Sequence, residues 1–344
     1  MTVHSTDAPV HGPTVPPRAD RFRRLAAWTI GGLTVLVVLA VASSAVLDAR
    51  DAGRLPVAGE LVELPDGRML HLQVTGEQHS GTTVVLDAGH GMFSPVFAWL
   101  QEELAAVAMV VAFDRPGYGW SQPADRDVSA EATAADLHHA LAASGRPGPY
   151  VLVGHSLGGL YVRTFADRYP GDVAGLVLLD PAHEDQLEQL SPDTVAQMER
   201  TNQAAAWGRA LARLGVFRLY NPQGTALADL PDSAAAEFAT RSVTAGYWRT
   251  TAEEGAAFGD LAAAVPADFG EVPVRIVSAP DSLPGGRDMR AVMDVLHRDL
   301  VSQSPLATHV EIAGADHITL LTDEDHARAV DRIVADLLQD IDAH

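Results

Sequence analysis

A serine flanked by glycines lies at the end of an apolar segment, in the stretch YVLVGHSLGGLYV at residues 150–162. Ser156 stands between Gly154 and Gly158, in the pattern Gly-x-Ser-x-Gly. In this pattern a strand turns sharply into a helix, and the turn strains the serine and exposes its hydroxyl above the sheet. Glycine is favoured on both sides because a Cβ there would collide with the turn or its neighbours. The pattern predicts a nucleophile at Ser156; the alternative is a structural serine in a glycine turn.

A nucleophilic serine needs a base, and histidine is the residue type that remains for this role. The chain has no cysteine, and all 24 of its lysine-plus-arginine residues are arginine. Among 14 histidines, His317 in the stretch EIAGADHITLL follows the last predicted strand. Because strand ends converge on the active edge of a parallel sheet, we expect His317 to be the base. His309, inside that strand, is a weaker candidate.

A carboxylate must hold the imidazole in the correct tautomer and stabilise its charged form. Two aspartates follow predicted strands, Asp281 after VPVRIVSAP and Asp180 at the end of GLVLLD. We expect Asp281 to be the acid and keep Asp180 as the alternative. Either one could instead be an ordinary loop carboxylate.

The oxyanion of a tetrahedral intermediate needs hydrogen-bond donors, and backbone amides commonly supply them. The amide of Leu157, just after the serine, is one predicted donor, and the amide of His90 in LDAGHGMFS is the other. No partner spacing supports a metal site at the His90 imidazole. The predicted substrate pocket consists of the following residues: Gly89, Gly91, Met92, His155, Trp207 and Trp248.

Composition excludes several function classes. The absence of cysteine excludes disulfides, thiolate metal sites and thiol catalysis, and the absence of lysine excludes Schiff-base chemistry and a P-loop lysine. The formal net charge of -21 argues against a nucleic-acid partner, because phosphates would be repelled. We expect no metal and no organic cofactor. The 344 residues suffice for one large domain carrying an insertion.

The N-terminal region predicts a membrane anchor. Residues 1–24 form a predicted disordered tail that ends in arginines, and residues 25–47 contain no charge, so as a helix of about 34 Å they could cross a bilayer. Residues 48–58 are a predicted linker. The arginines before the span would keep that end in the cytoplasm, which places the rest of the chain outside it. A cleaved signal peptide, followed by secretion, is the alternative.

Hydrophobic patterning predicts an α/β fold for residues 59–183 and 271–344. Two strands around a Pro65-Asp66-Gly67 turn come first. Six short runs rich in Val, Ile and Leu follow, separated by helical segments, a pattern typical of a parallel sheet with helices on both faces. Residues 184–270 contain Ala-rich helical sequence without a convincing strand, which predicts a helical cap inserted after the sixth strand.

Five motifs in order carry a family likeness: LDAGHG, FDRPGYGWS, VLVGHSLGG, LVLLDPAHEDQ and GADHI. Over residues 55–340 the chain resembles α/β-hydrolases, and among them membrane-anchored bacterial hydrolases close to the lipase/esterase-like branch with an inserted cap. The resemblance implies an α/β-hydrolase fold with a mostly parallel eight-stranded sheet. It implies Ser156 as nucleophile, His317 as base and the amides of His90 and Leu157 as oxyanion hole. The usual Gly-x-x-Asp after the seventh strand is here SAPD, one residue shorter, which keeps Asp180 open as the acid.

The predicted activity is hydrolysis of a carboxylic ester, on a small-molecule or lipid-like substrate, through an acyl-serine intermediate. Amidase, peptidase, acyltransferase and carbon–carbon bond hydrolase activities can use the same triad and stay open. Dehalogenase and epoxide hydrolase activities are disfavoured, because those relatives place an aspartate where Ser156 stands. A non-catalytic protein that only binds a ligand under its cap is the alternative from another class. The pattern does not predict the oligomeric state.

Overall fold

Runs of Val, Leu and Ile form the eight strands of one mixed β-sheet. The computed structural model describes residues 18–54, 57–227, 229–266, 268–281 and 286–343. The strands are β1 (Glu60–Glu63), β2 (Met69–Thr75), β3 (Thr83–Asp87), β4 (Val110–Phe113), β5 (Tyr150–His155), β6 (Val173–Leu179), β7 (Val274–Ser278) and β8 (Ala307–Glu311). Every strand predicted from the sequence is present.

The sheet has the order β1-β2-β4-β3-β5-β6-β7-β8. Strand β2 runs antiparallel to β1 and β4, and the remaining pairs are parallel. After β3 the chain adds β4 on one side and then β5 on the other. Ligands of open α/β sheets bind outside the carboxyl ends of the strands at such a switch point. The loops that follow β3 and β5 therefore lie where a site is expected.

Helices cover both faces of the sheet, as the sequence predicts for strands that are buried on both sides. Val84 and Leu86 of β3 pack into one apolar cluster, whereas Val85, between them, packs into another on the opposite face. The helices outside the insertion are α2 (Ala98–Leu104), α3 (Ala130–Ala143), α4 (Gly158–Arg168), α12 (Gly286–Ser302), α13 (Thr319–Thr322) and α14 (Glu324–Asp342). These features confirm the predicted α/β-hydrolase fold class.

Helices alone fill the described part of the insertion between β6 and β7. They are α5 (Gln186–Gln189), α6 (Pro192–Arg213), α7 (Val216–Leu219), α8 (Pro222–Ala226), α9 (Asp232–Arg241), α10 (Ala245–Ala256) and α11 (Phe258–Ala263). We call this segment the cap. Its position after the sixth strand is the one that the sequence predicts.

The N-terminal helix is longer than the sequence predicts. Helix α1 (Arg18–Ala52) begins inside the predicted tail and continues into the predicted linker as far as Ala52, with Gly53 following its end. Gly31 and Gly32 lie within the helix and do not end it. Residues 1–17 of the predicted tail lie outside the described residues. Within α1, Phe22–Asp51 is long and apolar enough to cross a membrane, and almost all of it is exposed. By length and composition alone, a signal sequence would pass the same test, so the membrane span stays a prediction.

Candidate active site

The turn at Ser156 connects β5 to α4 in a strained conformation. Strand β5 ends at His155 and helix α4 begins at Gly158. Ser156 has φ of 53°, in the left-handed region that side chains rarely adopt. Such strain persists where the surrounding structure enforces it, commonly at functional sites. The turn therefore presents the Ser156 hydroxyl at the carboxyl edge of the sheet.

The neighbouring glycines are required by close backbone contacts. A Cβ at Gly154 would lie 2.6 Å from the carbonyl oxygen of Gly158, and a Cβ at Gly158 would lie 2.3 Å from that of Asp87. A Cβ at Gly159 would lie 2.9 Å from Cβ of Pro181. Contacts this short are not tolerated, so the turn fits between β3 and the loop after β6 only with glycine at these positions.

His317 is paired with Asp180. The distance between Nδ1 of His317 and Oδ2 of Asp180 is 2.6 Å, and the Asp180 side chain is 1% exposed. Asp180 directly follows β6 and, with φ of 42°, is the other described non-glycine residue with a positive φ. A buried carboxylate on Nδ1 fixes the tautomer that leaves Nε2 free to accept a proton.

The environment of Asp180 keeps its carboxyl group ionised. Burial would raise the pKa of Asp180, but the hydrogen bond and charge of His317, with the charges of His297 and Arg290, hold the pKa well below its ordinary value. The Oδ1 atom accepts hydrogen bonds from Nη1 of Arg290 at 2.8 Å and from the amide of Ala279 at 3.2 Å. A negative charge on this acid is what the charged imidazole requires.

The sequence-based preference for Asp281 is corrected by this geometry. Asp281 is exposed, and its backbone amide donates to the carbonyl of Ala315 at 3.1 Å. Among the described residues its carboxylate makes no hydrogen bond to His317, whose Nδ1 is already bound to the alternative candidate, Asp180. Asp281 therefore lies outside the position that an acid of the triad occupies.

One cavity of about 390 Å³ brings the proposed catalytic groups together. Ser156, His317 and Asp180 all line it. No hydrogen bond of 3.5 Å or less joins the Ser156 hydroxyl to His317 within the described residues. In enzymes without substrate such catalytic hydrogen bonds are often long and shorten when the substrate binds. The arrangement places Ser156 and His317, the predicted nucleophile and base, on the same cavity.

His155 holds the backbone of His317, the predicted base. It is buried beside Ser156, its Nε2 donates to the carbonyl oxygen of His317 at 2.9 Å, and the two rings are 4.6 Å apart. Burial, and then the neighbouring His317, lower the pKa of His155 to about 3. His155 is therefore neutral at physiological pH and fixes the backbone that carries the base.

Two residues that line the cavity have backbone amides without a hydrogen-bond partner among the described residues. The residues are His90, in the loop after β3, and Leu157, directly before α4; both line the cavity. Neither amide donates a hydrogen bond to any acceptor in the part of the chain that the structure describes. The positive end of α4 lies beside Leu157 and favours negative charge there. The two amides can serve as donors to a developing oxyanion.

A buried arginine holds the loop that carries His90. Nη2 of Arg115 donates to the carbonyl of Gly89 at 2.9 Å, and Nη1 donates to that of Ala88. The guanidinium also pairs with Asp87 at 2.5 Å and with Glu254 of the cap at 2.8 Å. Arg115 therefore ties the loop to both the sheet and the cap.

Helix α10 of the cap holds the same loop from its other side. The Tyr247 hydroxyl donates to the carbonyl of Gly91 at 2.8 Å, and Nε2 of His90 donates to that of Thr251 at 2.7 Å. The imidazole of His90 is thus committed to the cap, and the backbone role predicted for this residue fits its geometry. Gly91 itself has φ of 71°, a conformation that favours glycine.

Replacing Glu254 should destabilise this arrangement. Glu254→Gln removes the charge that Arg115, Tyr118 and Tyr161 share. Because breaking a buried ion pair leaves an uncompensated charge, we expect the free energy of unfolding to fall by about 3 kcal/mol. Urea titration measures the change. Glu253→Gln is the matched control, since Glu253 is 52% exposed and lies 3.8 Å from Arg249; equal stability of the two variants would refute the expectation.

A second cavity, of about 450 Å³, lies under the cap. It shares the following residues with the first cavity: His90, Met92, Thr201, Asn202 and Ile318. Of the predicted pocket residues, Gly89, Met92 and His155 line the first cavity, whereas Gly91, Met92 and Trp248 line the second.

The prediction that Trp207 lines the pocket is wrong. Trp207 is 73% exposed and lines neither cavity. Ala205, Gly208 and Ala212 form the buried face of α6. Since 3.6 residues make one helical turn, Trp207 points away from that face.

Arg290 is a site residue that the sequence analysis missed. It lies on α12, more than one hundred positions from its partner Asp180, and no local pattern distinguishes it. Its Nη1 also donates to the carbonyl of Ala279 at 2.7 Å, so it connects the acid to the end of β7.

Arg290→Gln should lower kcat/KM about 100-fold by loosening the acid that orients His317. The loss of its positive charge also raises the pKa of Asp180, so activity should fall at a higher pH on the acid side of the pH profile than in the unmodified protein. Arg328→Gln, a partly exposed arginine paired with Glu103 on the surface, is the control. An unchanged pH profile for Arg290→Gln would contradict a positioning role.

The comparisons with known proteins match this architecture. The family model described as "alpha/beta hydrolase fold" matches residues 84–324. An uncharacterized protein of Schizosaccharomyces pombe is 32% identical over 155 residues, which are 37% of this chain and 29% of the relative. A pimeloyl-[acyl-carrier protein] methyl ester esterase of Shewanella is 37% identical over 110 residues, 32% of this chain and 38% of the relative. The chain thus spans less than half the length of these relatives.

Among solved structures, a thermophilic esterase from Thermogutta terrifontis superimposes with a TM-score of 0.57. The match covers 82% of this chain and 98% of the esterase, at 20% sequence identity. At that identity the likeness concerns the fold.

Proposed function

The chain belongs to the alpha/beta hydrolase fold family, and from that premise we propose that it is a serine hydrolase that cleaves carboxylic esters through an acyl-enzyme intermediate. The observation that carries the proposal is the 2.6 Å contact between His317 and the buried Asp180, on the cavity that also holds Ser156. A histidine oriented in this way beside a strained serine is the arrangement that activates a hydroxyl.

In the first half of the reaction, Oγ of Ser156 attacks the ester carbonyl carbon while Nε2 of His317 accepts its proton. The carbonyl oxygen becomes an oxyanion that accepts hydrogen bonds from the amides of His90 and Leu157. The carbon–oxygen bond to the alcohol then breaks, and the imidazolium donates its proton to the leaving alkoxide. Asp180 stabilises the charged imidazole throughout.

In the second half, His317 takes a proton from a water molecule, and the resulting hydroxide attacks the acyl carbon. The second tetrahedral intermediate uses the same two amides. It collapses when the bond to Oγ breaks and Ser156 regains its proton from His317, releasing the carboxylic acid. The reaction therefore needs only Ser156, His317, Asp180, the two backbone amides and one water molecule.

The lining of the first cavity favours substrates with an apolar acyl or alcohol group. Its larger apolar side chains are the following: Met92, Leu157, Met198, Phe258, Met289, Met293 and Ile318. Methionines adapt to irregular apolar shapes. The Shewanella relative is named as a methyl ester esterase, which agrees with an ester substrate. A serine at position 156 disfavours dehalogenase and epoxide hydrolase chemistry, in which a carboxylate forms the covalent bond.

We also propose that α1 crosses a membrane, with its arginine-rich start in the cytoplasm and the catalytic domain on the other side. The apolar helix is long enough to span and is almost entirely exposed. Arginines flank its N-terminal end, as the positive-inside rule expects for a cytoplasmic end.

A panel of p-nitrophenyl esters from acetate to palmitate tests the proposed reaction, with Ser156→Ala as the background control. We expect ester hydrolysis by the unmodified protein and none above background by the variant. The matching p-nitroanilides distinguish an amidase, and an added alcohol acceptor distinguishes an acyltransferase. Faster cleavage of anilides than of esters, or no ester cleavage at all, would overturn the proposal.

A further inference from the structure

The cap exposes a group of large apolar side chains on its outer surface. We call this group the cap patch; it consists of Trp207, Leu211, Leu214, Val216, Leu219 and Tyr220. Leu219 is 91% exposed, Trp207 73% and Tyr220 68%. Single exposed apolar residues are common, but six large ones within 14 positions of the chain are typical of a surface that another apolar phase covers.

Half of the patch lies on the outer face of α6, a helix whose inner face is already packed. Trp207, Leu211 and Leu214 recur at spacings of four and three, so they lie on one side of α6 and its C-terminal end. The opposite side packs into the cap through its own buried residues. The patch residues are therefore not needed to complete the cap, and their apolar character calls for a separate explanation.

The patch lies next to the C-terminal end of the proposed membrane span. The Ser44 hydroxyl of α1 donates to the carbonyl of Ala212 in α6 at 3.1 Å, and Ser44 is 5% exposed on an otherwise open helix. Arg218 of α7 pairs with Asp51 at 2.6 Å and also with Asp48. Three polar contacts thus attach the part of the cap that carries the patch, residues 207–220, to the last turns of α1. We call residues 207–220 the patch segment.

These contacts fix the depth of the patch if α1 spans a bilayer. Ser44 lies about 4.5 Å along the helix before Leu47, the last residue of the uncharged run. Side chains attached at that level lie at the boundary between headgroups and acyl chains. The patch begins with a tryptophan, Trp207, and ends with a tyrosine, Tyr220. Both residue types are enriched at this boundary.

Exposed arginines accompany the patch in a chain whose net charge is -21. They are Arg50 and Arg54 near the end of α1. Arg209 and Arg213 of α6 are exposed too, but they lie on the side of the helix away from Trp207 and Leu211. Arginines beside a bilayer are attracted to anionic headgroups. An apolar surface attached beside Arg50 and Arg54 suits a lipid surface.

We propose that the cap patch docks on the surface of the bilayer that α1 crosses, with its apolar side chains inserted at the headgroup boundary. This inference rests on the membrane span in the proposed function and does not depend on the proposed reaction. Phe217, within the patch segment, lines the second cavity and stacks on Trp248 at 4.4 Å. Docking therefore brings the cavity under the cap next to the lipid phase, which suits a substrate dissolved in that phase.

The absence of cysteine allows a site-specific test on the full chain. Leu219→Cys and, as matched control, Val107→Cys are labelled with the fluorophore NBD and reconstituted into vesicles of phosphatidylcholine and phosphatidylglycerol. Val107 is 54% exposed and precedes β4, so it lies at the amino-terminal ends of the parallel strands. The cap lies at the opposite, carboxyl ends. Quenching by iodide reports water access, and quenching by a lipid that carries a nitroxide near its headgroup reports insertion.

We expect the iodide quenching constant of the Leu219 label to be about threefold or more below that of the Val107 label, since an interfacial segment inserts about 5–10 Å. The lipid nitroxide should quench the Leu219 label and spare the Val107 label. Equal iodide access of both labels would overturn the proposal. Protection from iodide without lipid quenching would also overturn it, because a second copy of the chain would then cover the patch.

Flotation of the same vesicles separates the two proposals. Protein that stays out of the lipid fraction rejects both the span and the docked patch, whereas protein that floats with an exposed patch rejects the docking alone. Ester hydrolysis, measured in detergent on the same preparations, tests the reaction independently of either result.

Discussion

Asp180→Asn is expected to lower kcat/KM for ester hydrolysis by about 10⁴-fold, since an amide in place of the acid favours the wrong imidazole tautomer. Asp180 holds Nδ1 of His317 at 2.6 Å, and an asparagine there can donate a hydrogen to Nδ1. The imidazole would then carry its proton on Nε2, where it can no longer accept the serine proton. Steady-state kinetics with a p-nitrophenyl ester measure the loss.

Asp281→Asn is the matched control for this prediction, because Asp281 is an exposed aspartate that follows the next strand. We expect its kcat/KM to stay within about twofold of the unmodified protein, as for most exposed substitutions. A large loss in Asp281→Asn, with an unaffected Asp180→Asn, would restore the original preference for Asp281. Full activity of both variants would show that neither aspartate is the acid.

The same substitution should change the pH dependence of stability. The pKa of Asp180 is lower in the folded chain than its ordinary value of 3.8, so its ionisation stabilises the fold above that value. This contribution is lost as the pH falls below 3.8 toward the lower folded pKa. The difference in free energy of unfolding between the unmodified protein and Asp180→Asn should therefore narrow in acid. Denaturant titrations at neutral and acidic pH measure it; a constant difference would contradict the ionised acid.

Ser156→Ala and His317→Ala should each lower kcat by about 10⁶-fold, and the double variant should lose no more than either one. The nucleophile and the base act as a unit, so removing one makes the other useless. The residual rate over the uncatalysed reaction would come from the amides of His90 and Leu157 and from substrate binding. Kinetics of the two single variants and the double variant measure the non-additivity.

This series also separates an enzyme from a protein that only binds a ligand under its cap. Ser156→Ala should still bind an uncleaved ester or its product acid, which calorimetry detects, while turnover disappears. If the losses of Ser156→Ala and His317→Ala multiplied in the double variant, the two side chains would act independently. A Ser156→Ala variant with unchanged turnover would leave only the binding role.

Local patterns were enough to predict the sheet and the sharp turn at Ser156. Strand β5 and the turn at Ser156 are specified within a few residues, because an apolar run, two glycines and a helical segment follow one another. The glycines are needed because the backbone of β3 and the loop after β6 come very close to them. Their pattern around the serine can nevertheless be recognised in the sequence without knowledge of those contacts. The amide candidates His90 and Leu157 follow from the same local logic.

The acid could not be decided in this way. Asp180 and Asp281 both follow parallel strands, so their positions in the sequence are equivalent, and only the local backbone directs one carboxylate toward His317. The positive φ of Asp180 and its contact with Arg290 are properties of the folded chain. The shortened SAPD segment after β7 was the one signal in the sequence that pointed away from Asp281.

Long-range partners and helix orientation account for the other differences. Glu254 and Arg290 act on residues far away along the chain, and no local spacing distinguishes them from other charged residues. Trp207 and Trp248 both lie in helices of the cap, but Trp248 lines the second cavity whereas Trp207 faces outward. Which side of a cap helix faces inward depends on the packing of the whole cap.

Covalent labelling with a fluorophosphonate tests the central claim most directly. Oγ of an activated serine attacks the phosphorus and displaces fluoride, which leaves a stable phosphonyl ester. Because the chain has no lysine, trypsin cleaves only at arginine, and the arginine at 146 is followed by proline, so Ser156 lies in the peptide of residues 127–163 with Ser129 and Ser144. Fragmentation of that peptide identifies the labelled residue.

We expect a single adduct at Ser156 in the unmodified protein and none in Ser156→Ala. Labelling should also become much slower in His317→Ala, because the hydroxyl then lacks its base. An adduct at another serine, or an esterase that remains unlabelled at Ser156, would contradict the mechanism in which a strained serine, His317 and Asp180 act together.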